Sequence, residues 1–135
     1  MSDLIEQIKQ SEGFRPTVYQ CTEGYDTIGY GFAIKDLVIG QDICDIILER
    51  KIAELKLRIK QKLPFYDDMP EKAQDVIVEM CYQMGIHGFS NFKKTIDHLM
   101  RKDYKTASVE MLDSRWAKQT PNRAKKLSNQ MQNVR

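Results

Sequence analysis

The sequence predicts a mainly helical α+β chain, with a small β-hairpin lobe near the amino terminus and a larger helical lobe after it. Three observations carry this prediction. Residues 12–31, EGFRPTVYQCTEGYDTIGYG, concentrate Gly, Thr and Tyr in a way that helices do not. From about residue 42 onward, apolar residues recur at three- and four-residue steps. Within that region Ala73, Val76, Ile77, Met80, Cys81 and Met84 form an unbroken stripe over so wide an arc that the segment reads as the central helix of a bundle.

The 135 residues fit a single domain, 1–135, able to bury roughly two-thirds of its unfolded surface. A charged fraction of 30% and a hydrophobic fraction of 41% are those of a globular protein. The apolar runs are too short to span a bilayer, and the start, MSDLIEQIKQ, offers no signal core, so a cytoplasmic origin without stable membrane insertion is expected. Cys21, Cys44 and Cys81 are odd in number and widely spaced, which excludes a disulfide framework and gives no metal-ligand pattern. Cys44 and Cys81 fall in apolar helical patterns and read as small core residues. No cofactor is implied. The net charge is +2, yet residues 114–135 hold six basic side chains and no acid. Such a face is either simply solvated or suited to an acidic polymer.

Along the chain, Asp3 and Glu6 form a capping-box pattern for a first helix, 3–12. Leu4, Ile8 and Glu12 are spaced by four and share one face, and Gly13 ends the helix. Glu12 therefore stands at a helix carboxyl end, in line with the face expected to pack inward. Desolvation and the negative end of the helix dipole would both oppose its ionisation, the condition a general acid needs. The alternative is a partly exposed Glu that merely falls on the inner face. Segments 17–21 and 25–30 read as strands joined by Thr22-Glu23-Gly24, a three-residue hairpin loop with Gly last. With Cys21 opposite Tyr25, alternation places Cys21, Tyr25 and Thr27 on one face and turns Asp26 to the other.

Residues 32–40 read as a connection, and 42–62 as a long helix linking the hairpin lobe (14–40) to the helical lobe (65–135 plus helix 3–12). Pro70 suits the first position of the next helix, which Gly85 is expected to stop. Ser90 is expected to cap a segment with Phe92, Ile96 and Leu99, and Asp103 one with Tyr104, Ala107 and Met111. Thr120-Pro121 opens a last helix. His87 and His98 lack a second ligand pair and read as surface or loop residues.

These residues resemble the phage-type lysozymes, the endolysin muramidases of glycoside hydrolase family 24. That family places a Glu, then after eight intervening residues an Asp or Cys, then after five more a Thr. Here Glu12, Cys21 and Thr27 hold those positions within EGFR and TIGYG contexts. CYQMG (81–85), GFSNF (88–92) and SRWAKQTPNRAKK (114–126) extend the likeness over nearly the whole chain. The resemblance implies a lysozyme-like fold with a cleft between the lobes and hydrolysis of the β-1,4 bond between N-acetylmuramic acid and N-acetylglucosamine. It makes Glu12 the general acid, with Thr27 placing water or supporting an intermediate on the opposite side of the sugar. Arg123 matches the family arginine that reaches the catalytic Glu, Tyr82 an aromatic residue of the cleft wall, and Glu23 a position at the cleft edge. It further implies peptidoglycan as partner rather than nucleic acid, a monomer, action on the wall from the host cytoplasm, and dependence on a holin-type pore.

Cys21 departs from the usual pair of carboxylates. A thiol is mostly neutral at pH 7, so three readings stay open: a thiolate nucleophile or base, a neutral group that helps Thr27 hold water, or the mark of a weakened enzyme. The last defines the main rival, a wall-binding or regulatory protein on a lysozyme scaffold. A nucleic-acid binder using residues 115–126 leaves the hairpin motif unexplained. A thiol peptidase pairing Cys21 with His87 or His98 has no known spacing behind it and lacks the helix-end activation of a reactive cysteine. Phe32 follows Gly31 where many members have His, which implies apolar packing in place of an ion pair.

Overall fold

A computed structural model describes residues 3–135. They form seven α-helices, two short 3-10 turns and one three-stranded antiparallel sheet, the mainly helical α+β architecture expected. The chain divides into two compact units, one ending at Asp45 and the other running from Ile46 to Arg135.

The first unit opens with α1 (Asp3–Glu12), which Gly13 terminates in a left-handed conformation at φ +72° while its N–H bonds the carbonyl of Lys9. The sheet follows as β1 (Arg15–Gln20), β2 (Asp26–Gly29) and β3 (Phe32–Ala33), in that spatial order. Pro16 lies inside β1, a placement tolerated because β1 is an edge strand. The β1–β2 register pairs Tyr19 with Thr27 and Gln20 with Asp26, and it is interrupted by a bulge between Arg15 and Tyr19. The connecting loop is closed by Gly24 N–H to Cys21 C=O and Cys21 N–H to Tyr25 C=O, both 2.9 Å, with Gly24 at φ +83°. This is the three-residue hairpin connection that ends on a left-handed glycine. Residues 32–40 are more than a plain connection. Phe32 pairs with Ile28 and Ala33 with Thr27, and a 3-10 turn (Ile34–Asp36) follows. A strand of two residues is too short to leave a readable alternation.

Helix α2 (Gln41–Lys62) runs across the division between the units. Of its predicted stripe, Ile59 and the following Leu63 are buried and Ile52 and Leu55 pack on the core, whereas Ile43, Ile46 and Ile47 are exposed. Cys44 is exposed too, contrary to its reading as a core residue; it sits in the helix's first turn, outside that packed stretch.

The second unit is organised on α3 (Glu71–Ser90), which buries Ala73, Val76, Ile77, Met80 and Cys81 as expected, while Met84 packs partly against the core. The helical conformation stops at Gly85 as expected, at φ +82° and ψ 157°, and a second helical stretch follows across this kink with Ile86 and Phe89 buried. Ser90 consequently belongs to α3 and caps nothing; its hydroxyl donates to the His87 carbonyl. The next helix, α4 (Lys93–Met100), starts after Phe92. Phe92 stacks on Phe89 at 5.8 Å and meets Trp116 edge-on at 6.1 Å. Asp103 does cap α5 (Tyr104–Glu110), accepting from Thr106 N–H at 3.1 Å. Those bonds from Thr106 hold the Asp103 carboxyl below its usual range, with a smaller contribution from His98. The cap is therefore complete at neutral pH and is lost as pH falls through that lowered value. Ser114 caps α6 (Arg115–Gln119), and α7 (Pro121–Gln132) follows Thr120. Ser128 on α7 donates to the Ser108 carbonyl on α5 at 2.8 Å, joining two helices inside the core.

Lys102, after α4, is held at φ +61°, where Lys102 N–H bonds Leu99 C=O and Asp103 N–H bonds His98 C=O. This helix ending prefers glycine. Lys102→Gly is expected to stabilise the protein by about 0.5–1 kcal/mol, the left-handed penalty removed less the added unfolded-chain entropy. Urea unfolding with an unchanged slope would confirm it, and a lowered midpoint would contradict it.

Candidate active site

Glu12 is the last residue of α1, and its carboxyl group lies directly against Gly31. A Cβ at Gly31 would overlap Glu12 Oε2 and stand 3.0 Å from Cδ, so any side chain there would push the carboxyl aside, and the φ of +77° favours glycine independently. Aromatic packing fixes this juxtaposition. Phe14 and Tyr30 approach at 5.4 Å, Tyr30 and Phe32 at 6.3 Å, and the Lys9 ammonium lies 5.7 Å from the Tyr30 ring. The end of α1 is thereby held to the β2–β3 turn. The expected burial of this face is corrected, because α1 buries no side chain among its described residues and Glu12 itself is exposed. Its distinguishing environment is the helix end and the glycine beside it, not desolvation.

Thr27 stands in the middle strand of the sheet, between Tyr19 and Ala33, and is 4% exposed. Its hydroxyl donates to the Tyr25 carbonyl at 2.9 Å and lies near enough to Cys21 to influence its thiol. A hydroxyl has one proton to give. While the thiol is neutral that proton goes to Tyr25 C=O; a thiolate at Cys21 competes for it, which is how the hydroxyl helps to lower the thiol's pKa. Cys21 is half-buried, and its pKa is lowered chiefly by the backbone of Tyr25 and then that of Glu23, with the Thr27 hydroxyl adding to the effect. Partial burial and the Glu23 carboxylate oppose this shift without cancelling it. Cys21 and Thr27 thus meet on one face of the hairpin, as alternation requires, while Asp26 pairs with Gln20 on the other. Glu23, in the loop, sits close enough for its charge to be felt at the sulfur.

Tyr82 and Arg123 lie in the second unit. Tyr82 is 48% exposed and lines a groove of about 460 Å³ with Lys51, Glu54, Arg58 and His87, opened where α3 breaks at Gly85. Arg123 Nε donates to Glu79 Oε2 at 2.8 Å, an ion pair joining α7 to α3. The sequence reading did not identify Glu79, nor the bond from Trp116 Nε1 to Gln83 Oε1 at 2.8 Å. Partners 44 and 33 residues apart leave no local signal. Cys81 is buried and its thiol pushed up to about 12, which makes it inert. Among the described residues no group of three or more His, Cys, Asp or Glu side chains converges as a metal site would require.

The chain is 26% identical to the pre-baseplate central spike protein Gp5 of Enterobacteria phage T4, over 93% of its own length but only 27% of that longer protein. It is 23% identical to the probable T4-type lysozyme 1 of Dictyostelium discoideum, covering 94% of this chain and 92% of the relative. It is 31% identical to an endolysin of Acyrthosiphon pisum secondary endosymbiont phage 1, covering 82% of this chain and 75% of that one. A family model described as phage lysozyme matches residues 9–133, and the chain therefore belongs to the phage lysozyme family of cell-wall hydrolases.

Proposed function

We propose that the protein is a muramidase, hydrolysing the β-1,4 bond between N-acetylmuramic acid and N-acetylglucosamine in peptidoglycan, and that it serves as an endolysin in host-cell lysis. The observation that carries this reading is the Glu12 carboxyl, set against Gly31 at the end of α1 on the sheet that also holds Cys21 and Thr27. In the proposed reaction Glu12 protonates the leaving glycosidic oxygen. The Thr27 hydroxyl, its proton committed to Tyr25, presents lone pairs to a water on the other side of the sugar, and Cys21 shares that task. Tyr82, Arg123 and Glu23 are supporting residues, with Glu79 setting the orientation of Arg123. The protein is read as a monomer acting on the wall after a holin-type pore admits it. No helix among the described residues is long and apolar enough to cross a membrane.

Mass analysis of muropeptides released by the pure protein tests the reaction. New reducing ends at muramic acid are expected; anhydro ends would indicate a transglycosylase, and no release would favour a wall-binding protein. The same assay tests the site's geometry. Gly31→Ala is expected to lower turnover on the order of a hundredfold, the cost of displacing a catalytic group by about 1 Å. It should also destabilise the fold by about 1–2 kcal/mol through left-handed strain. Unchanged turnover in a folded Gly31→Ala protein would remove the Glu12–Gly31 packing from the mechanism.

A further inference from the structure

We infer that Lys35 and Tyr25 form a clamp that positions the Cys21–Thr27 pair, an assignment resting on the reading of that pair given above. Lys35 belongs to the 3-10 turn after β3, and its ammonium lies 4.0 Å from the centroid of the Tyr25 ring, close enough for a cation–π contact. Two other such pairs among the described residues of this unit are longer, 4.5 Å for Arg15 on Tyr19 and 5.7 Å for Lys9 on Tyr30.

Tyr25 matters because its backbone is the hub of the pair. Its carbonyl accepts both the Cys21 N–H and the Thr27 hydroxyl, each at 2.9 Å. Its backbone is also the largest influence favouring the Cys21 thiolate. Tyr25 lies between the left-handed Gly24 and the first residue of β2, so it precedes the regular strand. The residue is 46% exposed. Lys35 rests on the Tyr25 ring and ties the 3-10 turn to the residue whose carbonyl holds both partners. Lys35 is therefore a positioning residue acting through Tyr25, and it does not touch the reacting atoms.

The test uses the full chain with Cys44→Ser, which leaves Cys21 as the one thiol open to reagent, since Cys81 is buried. Iodoacetamide alkylation of Cys21 is followed against pH, alongside kcat and KM on purified peptidoglycan. Lys35→Met is expected to slow alkylation near neutral pH by about two- to fivefold, to move its pH profile upward, and to lower kcat similarly with KM little changed. Lys35→Arg should restore all three. Tyr25→Leu should reproduce the Lys35→Met effects, and the double variant should add nothing further. An alkylation profile identical in Lys35→Met and its parent would overturn the clamp, as would full additivity. Alkylation is read without turnover, so a parent protein that releases no muropeptides would sink the functional reading while leaving the clamp to stand or fall on its own result.

Discussion

Glu12→Gln is expected to reduce lytic activity on the order of a thousandfold while leaving the fold intact. The amide is nearly isosteric but has no acidic proton to give, and general acid catalysis contributes roughly 10²–10⁴-fold. Stability should stay within about 0.5 kcal/mol, because Glu12 is exposed and α1 buries no side chain among its described residues. Removing a negative charge from the carboxyl end of a helix would, if anything, help slightly. The measurement is turbidity loss of outer-membrane-permeabilised bacteria, set beside a thermal melt of each protein. Equal clearing by both proteins would mean that the six basic side chains of residues 114–135 disrupt membranes and that Glu12 performs no hydrolysis.

The features legible in the sequence are those with a local signature. The left-handed Gly24 and the β-branched and aromatic residues around it gave the hairpin. Alternation from Cys21 opposite Tyr25 then gave the face shared with Thr27, which the Gln20–Asp26 and Tyr19–Thr27 register bears out. Strand boundaries moved by a residue or two, because Pro16 is admissible on an edge strand. Side-chain burial in the first unit was not legible. Leu4, Ile5 and Ile8 have the period of an inward face and are exposed, so periodicity identified the helix without identifying what covers it. Gly85 was correctly marked as a helix breaker, but a single left-handed residue can interrupt a helix whose apolar pattern resumes with Ile86 and Phe89. The Arg123–Glu79 pair was out of reach for another reason: it depends on tertiary packing of α7 against α3, which no spacing rule encodes.

The widest separation between two substitutions at one atom is expected at Cys21. Cys21→Ala removes the group beside Thr27 and the acceptor that the Tyr25 and Glu23 backbone favours, so most activity should be lost, on the order of ten- to a hundredfold. Cys21→Asp should retain lytic activity. The backbone groups of Tyr25 and Glu23 that favour a thiolate would favour a carboxylate at the same place, through charge-assisted bonds. The pH profile then decides what the sulfur does. If the thiolate acts as base or nucleophile, parental activity should climb as pH rises through the lowered Cys21 pKa, and that limb should move to the acid side in Cys21→Asp. A neutral thiol that only helps Thr27 hold water predicts the opposite dependence on ionisation: no rise on that limb, and a decline once the thiol ionises and competes for the Thr27 proton. Full activity in Cys21→Ala would exclude both roles and leave Thr27, held by Tyr25, as the water-side group.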